Sequence, residues 1–363
     1  MRSENSNHVW VVAEAGVNHN GSVAIARKLI EVAAKAGADA VKFQTFKTER
    51  VLSRHAFKAE YQKSTTPGSG SAWEMIKKLE LSDQDHGLLK KWCQQQKIEF
   101  LSTPFDLPSV DFLAKKMRVA KLKIPSGEIT NAPLLWKAAQ TRLPIILSTG
   151  MATLKEVEQA LGVIACGYLN PSASKPSTQN FRTAFKSQKG QKILKQNVIL
   201  LHCVTEYPAP FESLNLRAMD TLKDTFGLRV GYSDHSAGIL ASVAAAARGA
   251  VLIEKHFTLD KSMDGPDHRA SLEPEELKNM VAAIRQVEKM MGSGVKSPAG
   301  CELKNKPVAR KSLVTIRAIK KGESFSEKNI EPKRPGTGKN PFEYWDLLGK
   351  KALKNYEADE ILK

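Results

Sequence analysis

Along the chain a short apolar run, a polar tip and a stretch of helical spacing recur eight times. The runs are Val9–Gly16, Ala40–Thr45, Glu99–Pro104, Ala120–Gly127, Pro144–Gly150, Val198–Val204, Leu228–Asp234 and Val251–Phe257. Between them the period changes: over Val23–Ala36, for example, Ala24, Leu29, Ile30, Ala33 and Ala34 fall on one side of a helix. Continuous apolar strands alternating with amphipathic helices predict a parallel sheet covered on both faces. Eight such units predict an α/β fold, a closed (β/α)8 or TIM barrel, which ordinarily needs about 250 residues. The competing reading, an open doubly wound sheet, lacks a GxGxxG turn after the first run. The alanine-rich segment Gly238–Arg248 reads as a helix packed close to the barrel.

After Met291 the text changes. Residues 1–291 are read as the barrel, 292–305 as a Gly/Ser/Pro linker, and 306–363 as a second domain with short β-like pieces and turn glycines, too small to bury much core alone. Gly167–Asn197 is a polar, basic insertion between the fifth helix and the sixth strand. It is read as a flexible loop, or otherwise a docking surface, on the barrel face away from the chemistry.

Hydrophobic residues make up 42% of the chain and charged residues 26%, an ordinary globular balance. No apolar run approaches the roughly 18 residues a membrane span needs, and the polar start Met1–His8 is unlike a secretory signal. A cytoplasmic protein with reduced cysteines (Cys93, Cys166, Cys203, Cys301) is expected. The net charge of +17 is concentrated: residues 304–363 carry fifteen Lys/Arg against eight Asp/Glu, and residues 167–197 carry six Lys/Arg and no acid. With no nucleic-acid motif present, an anionic small molecule is the expected partner rather than nucleic acid or membrane.

In a barrel of this type chemistry sits at the C-terminal strand ends, and here those ends are polar. Strand one offers Glu14, followed by Asn18 and His19. Strand two offers Lys42 and Gln44, of one parity, and strand three Ser102 and Thr103. Strand four offers Lys123, then Ser126 and Glu128. Strand six leads to Thr205 and Tyr207, strand seven gives Ser233 and His235, and strand eight Glu254 and His256. Polar groups in a core are costly unless paired or used, so this many tips predict a phosphate and metal site. Lysines bind phosphate as point charges, with the hydroxyls of Thr103, Ser126 and Ser233 beside them. His235 and His256 on adjacent strands suit a divalent first-row metal with open positions. His8, His55, His86 and His202 read as structural, while His19 and His268 stay open. In the loop Met263–Arg269, Asp267 either binds sugar hydroxyls or only shapes a turn.

Taken together, AEAGVNHNGS (Ala13–Ser22), VKFQT (Val41–Thr45), STPFD (Ser102–Asp106), KIPSGEITN (Lys123–Asn131), STGMAT (Ser148–Thr153), GYSDHS (Gly231–Ser236) and IEKHFTLDKSMDGPDHRASLEP (Ile253–Pro274) resemble the sialic acid synthase family. VARKSL (Val308–Leu313) and KRPGTG (Lys333–Gly338) resemble its antifreeze-like (SAF) C-terminal domain. The resemblance implies an enzyme, a transferase that condenses phosphoenolpyruvate (PEP) with an N-acylated mannose-type sugar and water, giving a nonulosonic acid and phosphate by C–O cleavage. It implies that Lys42, Thr103, Lys123, Ser126, Thr205, Ser233 and His235 surround PEP. His235 and His256 would hold manganese or magnesium, and Gln44, Glu128, Tyr207 and Asp267 would contact the sugar. Glu14 and Glu128 become candidates for moving protons, and Lys123 and Asp267 are expected in the catalytic set. It further implies a homodimer in which the tail domain of one subunit lends Arg334 to its partner's barrel. Two positions depart from some members: the loop at Lys63-Ser64-Thr65-Thr66, and Thr205, where those members have asparagine. PSGEITN and GPDH favour a neuraminate- or legionaminate-type acceptor over a pseudaminate type. The rival readings are a PEP-condensing barrel acting on an aldose phosphate, which needs a second basic cluster not seen here, and an ice- or polysaccharide-binding protein without catalysis.

Overall fold

A computed structural model describes residues 8–58, 66, 70–170 and 175–363. Among them are eight parallel strands: β1 (Trp10–Gly16), β2 (Ala40–Thr45), β3 (Glu99–Pro104), β4 (Leu122–Ile124), β5 (Ile145–Ser148), β6 (Val198–His202), β7 (Arg229–Asp234) and β8 (Leu252–His256). Every run read from the sequence contains its strand. Hydrogen-bonded neighbours follow the order β3-β2-β1-β8-β7-β6-β5-β4, and the two ends, β3 and β4, also come within 8 Å Cα to Cα. The sheet thus curls into the expected barrel, with helices outside.

Several of the helices begin where short polar side chains can take up first-turn N–H groups. Ser22, Ser82, Asp106, Asn131 and Thr153 each accept from a backbone nitrogen three residues on. No helix among the described residues is long and apolar enough to cross a membrane.

The barrel interior is layered. Val12, Ala40, Leu101, Ile146, Leu201 and Leu252 pack against one another, all fully buried, as an apolar floor. Side chains alternate along a strand, so the next inward residues, two positions on, are Glu14, Lys42, Thr103, Ser148, Cys203 and Glu254. All six line one cavity.

The basic insertion is not a loop. Its described part forms two helices, Thr178–Lys186 and Gln188–Asn197, capped by Ser177 and Ser187. Ala184 and Leu194 are buried, and Phe181, Phe185 and Ile193 pack on the main core. Phe181 lies 6.1 Å from Trp136, and Phe185 lies 6.5 Å from Phe226, ring centre to ring centre. The expectation of a flexible loop failed because sparse apolar residues at helical spacing are outnumbered by lysine and glutamine. Pro171 to Ser174 lie outside the described residues, as do Lys63, Ser64 and Thr65.

The chain divides into two compact units after Gly292. In the second, β9 (Ser312–Thr315) pairs antiparallel with β10 (Ile330–Lys333). Single bridges Val314–Ile361, Ile319–Tyr356 and Ser324–Lys351 tie in the rest. Its core is small: Leu313, Ile319, Phe325, Ile330, Ala352 and Leu362.

Candidate active site

The cavity at the C-terminal mouth of the barrel has a volume of about 280 Å³, room for small molecules rather than a polymer. Twelve of the side chains given a role from the sequence line it: Glu14, Lys42, Gln44, Thr103, Lys123, Ser126, Thr205, Tyr207, Ser233, His235, His256 and Asp267. Two do not. Glu128 sits beyond β4 and accepts a hydrogen bond from Asn131 Nδ2 at 2.6 Å, steadying the residue that caps the next helix. Arg334 belongs to the second unit, where its Nε donates to the Ala309 carbonyl.

The base of the cavity is a buried charge cluster. Lys42 Nζ lies 2.8 Å from Glu14 Oε2 and 3.5 Å from Glu254 Oε2, and donates to Thr103 Oγ1 at 3.0 Å. Lys123 Nζ is 3.4 Å from Glu254 Oε1, which also accepts from Ser233 Oγ at 3.0 Å. Two carboxylates sharing one dry site cannot both ionise freely. Glu254, facing both lysines, takes the charge and is drawn down to about 2 against the pull of burial. Glu14 is pushed up to about 7, first by burial and then by Glu254, although Lys42 opposes both. Burial also pulls Lys123 down, whereas on Lys42 the two glutamates outweigh burial and hold it up. Two buried lysines thus face one firmly ionised carboxylate, Glu254, and a second, Glu14, that burial holds up. That arrangement draws an anion such as a phosphate, with the hydroxyls of Thr103, Ser126 and Ser233 at hand.

The hydroxyl side of this cradle depends on Gly150. Its φ is +42°, and a Cβ there would lie 2.4 Å from Ser126 Cβ and 2.8 Å from Thr205 Oγ1, so only glycine lets β5 end this close to both. Ser126 Oγ and Thr205 Oγ1 are 3.2 Å apart.

His235 and His256 face each other with ring centres 5.6 Å apart. His235 Nδ1 meets the Val204 carbonyl, which can only accept, so Nδ1 carries the proton and the Nε2 lone pair points inward. Tyr207 stacks on that ring at 4.2 Å, its hydroxyl 3.2 Å from Nε2. Burial lowers His235 to about 4 and His256 well below its usual value, so both are neutral. His256 Nδ1 is buried without a hydrogen bond, with Asp267 Oδ2 3.6 Å away. Burial raises Asp267 to about 6. Two neutral imidazoles, one oriented by a carbonyl and one with an orphaned nitrogen, fit a divalent first-row ion. No group of three or more His, Cys, Asp or Glu in metal-holding geometry occurs among the described residues; two histidines as ligands would leave the other positions of such an ion open.

Outside the barrel the same two strands are clamped together. Lys255 and Asp234, both fully buried, pair at 3.0 Å, and Lys255 also donates to the Ser236 carbonyl. Asp234 accepts from Ser236 N, Ser236 Oγ and Ser242 Oγ at 2.6–2.8 Å. His19 and His268, left open by the sequence, are structural: His19 Nδ1 accepts from Gly21 N, and His268 bonds Thr258 and Asn20. Sequence reasoning put Glu254 at a strand tip without a role and passed over Ser148 and Cys203. The signal for all three was their position two residues beyond an inward apolar residue. All four cysteines are free.

This geometry agrees with what the chain is similar to. The profile of the NeuB family matches residues 29–296, and that of the SAF domain residues 310–363. The N,N'-diacetyllegionaminic acid synthase of Campylobacter jejuni is 51% identical over 353 residues, 97% of this chain and 98% of that protein. The enzyme of the same description from Legionella pneumophila is 44% identical over 97% of this chain and 93% of its own length. Among solved structures, the N-acetylneuraminic acid synthetase of Leptospira borgpetersenii in complex with citrate superposes with a TM-score of 0.66 at 33% identity, covering 84% of this chain and 94% of that one. With the barrel, the polar strand tips and the small C-terminal unit all accounted for, the chain belongs to the NeuB family and carries a SAF domain at residues 310–363.

Proposed function

We propose that this protein condenses PEP with an N-acylated mannose-type sugar and water, releasing phosphate and a nonulosonic acid, and that its acceptor is of the diacetamido-trideoxy kind used for legionaminate. The observation that carries the reaction is the buried Lys42–Lys123–Glu254–Glu14 cluster, with the hydroxyls of Thr103 and Ser233 bonded into it, in one cavity with His235 and His256. The acceptor rests on the 51% identity to the Campylobacter synthase.

In this reading Lys42 and Lys123 hold the PEP phosphate and carboxylate, with Thr103, Ser126, Thr205 and Ser233 donating from their hydroxyls. The open-chain sugar lies above, met by Gln44, Tyr207 and Asp267. His235 and His256 would hold the divalent ion, manganese or magnesium, which when bound polarises the acceptor's aldehyde oxygen. The PEP methylene carbon bonds to the aldehyde carbon, and the aldehyde oxygen takes up a proton. Positive charge develops at PEP C2, where water adds. Glu14, near neutrality at about 7, takes the proton of that water. The hemiketal phosphate then breaks its C–O bond, giving the ketone and inorganic phosphate. The reading further takes the enzyme to be cytosolic and a two-fold dimer in which each SAF domain caps the other barrel and Arg334 meets the partner's sugar.

The test is PEP-dependent phosphate release with a panel of N-acylated mannose analogues and aldose phosphates, with bond cleavage followed in 18O-labelled water. Turnover of acylated mannoses with no label in the phosphate is expected. Turnover of aldose phosphates alone, or label in the phosphate, would overturn the reading.

A further inference from the structure

One wall of the cavity is out of character with the rest. Val17, Ile76 and Phe105 line it, and none offers a hydrogen bond from its side chain. They form one apolar patch with Phe46 and Leu79 packed behind, the rings of Phe46 and Phe105 meeting edge to face at 6.2 Å. Val17 follows Glu14 by three residues and Phe105 follows Thr103 by two, so the patch stands further out along the barrel than the charged base. It therefore faces whatever lies above PEP.

Resting on the condensation reading, we infer that this wall is a specificity device: it receives a methyl group of the acceptor sugar and discriminates against the analogue carrying a hydroxyl there. A methyl against Ile76 and Phe105 leaves water for a matching surface. A hydroxyl in the same place loses its water and finds no side-chain partner on the wall. The chemistry is that of a methyl, and the diacetamido-trideoxy acceptor proposed above has two kinds of source for it, its acyl termini and its terminal deoxy carbon. An apolar surface rejects an added hydroxyl only moderately, by roughly ten- to a hundredfold in kcat/KM.

The experiment uses the full-length enzyme and two acceptor pairs, N-acetyl against N-glycolyl and 6-deoxy against 6-hydroxy, each differing by one hydroxyl. In the wild type one pair is expected to show roughly a ten- to hundredfold preference for the methyl, and that pair identifies which methyl the wall takes. Ile76→Thr and Phe105→Tyr place a hydroxyl on the wall and should each cut the preference at least fivefold. Ile76→Val, which stays apolar, should keep it. Equal kcat/KM within both pairs in the wild type overturns the inference, and so does a preference that survives both polar variants. If Ile76→Thr fails to fold, Phe105→Tyr carries the comparison. Absence of any PEP-dependent turnover would overturn the condensation reading instead. Binding isotherms of the same acceptor pairs then decide the wall by the same ratios.

Discussion

Glu254→Gln tests the charge arrangement at the base of the barrel most directly. The change keeps shape and volume and removes one negative charge. Lys42 retains Glu14 at 2.8 Å, but Lys123 loses its carboxylate at 3.4 Å, and both lysine side chains are only 3–4% exposed. At an effective dielectric of about 20, a pair at that distance interacts by about 5 kcal/mol. Part of this is recovered because Lys123 can release its proton, so a loss of about 3–5 kcal/mol is expected, as for a broken buried pair. For a unit of this size that lowers the unfolding midpoint by roughly 10 °C. Four of the five tryptophans, Trp10, Trp73, Trp92 and Trp136, belong to the barrel unit, so their fluorescence reports on it. Inorganic phosphate or PEP should recover more of the midpoint in the variant than in the wild type, since an added anion replaces the missing carboxylate. A midpoint within about 2 °C of wild type without added anion would refute the reasoning, because it would mean the lysines carry no charge needing compensation.

Four further outcomes are expected. Chelation should reduce PEP-dependent turnover by at least about a thousandfold, with manganese or magnesium restoring the wild type but neither His235→Ala nor His256→Ala, as measured by phosphate release. Lys123→Ala and Arg334→Ala should each be inactive alone but recover part of the activity when co-expressed as tagged heterodimers; heterodimers without activity would mean that the capping lies within one chain or that Arg334 is not catalytic. His19 is held neutral, its value lowered by burial from 6.5 to about 4. The unfolded chain therefore takes up the proton first, and stability present above pH 6.5 is lost as pH falls toward 4. His19→Asn, which keeps an acceptor for Gly21 N–H, should retain about 3 kcal/mol more of its neutral-pH stability at pH 4 than the wild type does, measured by denaturant titration. Phe185→Ala should cost about 1–3 kcal/mol in the same assay, because the basic helices are packed onto the barrel core rather than hung from it.

What could be read from the sequence divides along physical lines. The strands were legible because residues buried on both faces must be apolar, and runs such as Val198–His202 have no other use. The tips were legible because polar side chains at so many inward strand ends are costly unless used, and twelve of the residues given a role on that ground meet in one cavity. The insertion was not, since its helices bury only a thin stripe while their composition is set by solvent. Glu128 was hard to place for a related reason: an acidic residue three before a capping asparagine looks the same whether it faces a substrate or orients Asn131. Glu254 was seen but not understood, because its importance lies in two lysines from distant strands that the linear text cannot bring together.

The buried Lys255–Asp234 pair reaches beyond the clamp it makes. Strand ends at a barrel mouth ordinarily fray, and their amides exchange with solvent through local openings of low energy. Here Asp234 of β7 and Lys255 of β8 are joined on the outer face by an ion pair, and the same Asp234 carboxylate takes three bonds from Ser236 and Ser242 in the segment that follows β7. On the inner face Ser233 is bonded to Glu254. Opening either strand end would strand a charge in the core. The amides of Ser233–Ser236 and Lys255–Phe257 should therefore exchange with the slowest set in the barrel, so the two histidines keep their spacing while the loops around them breathe.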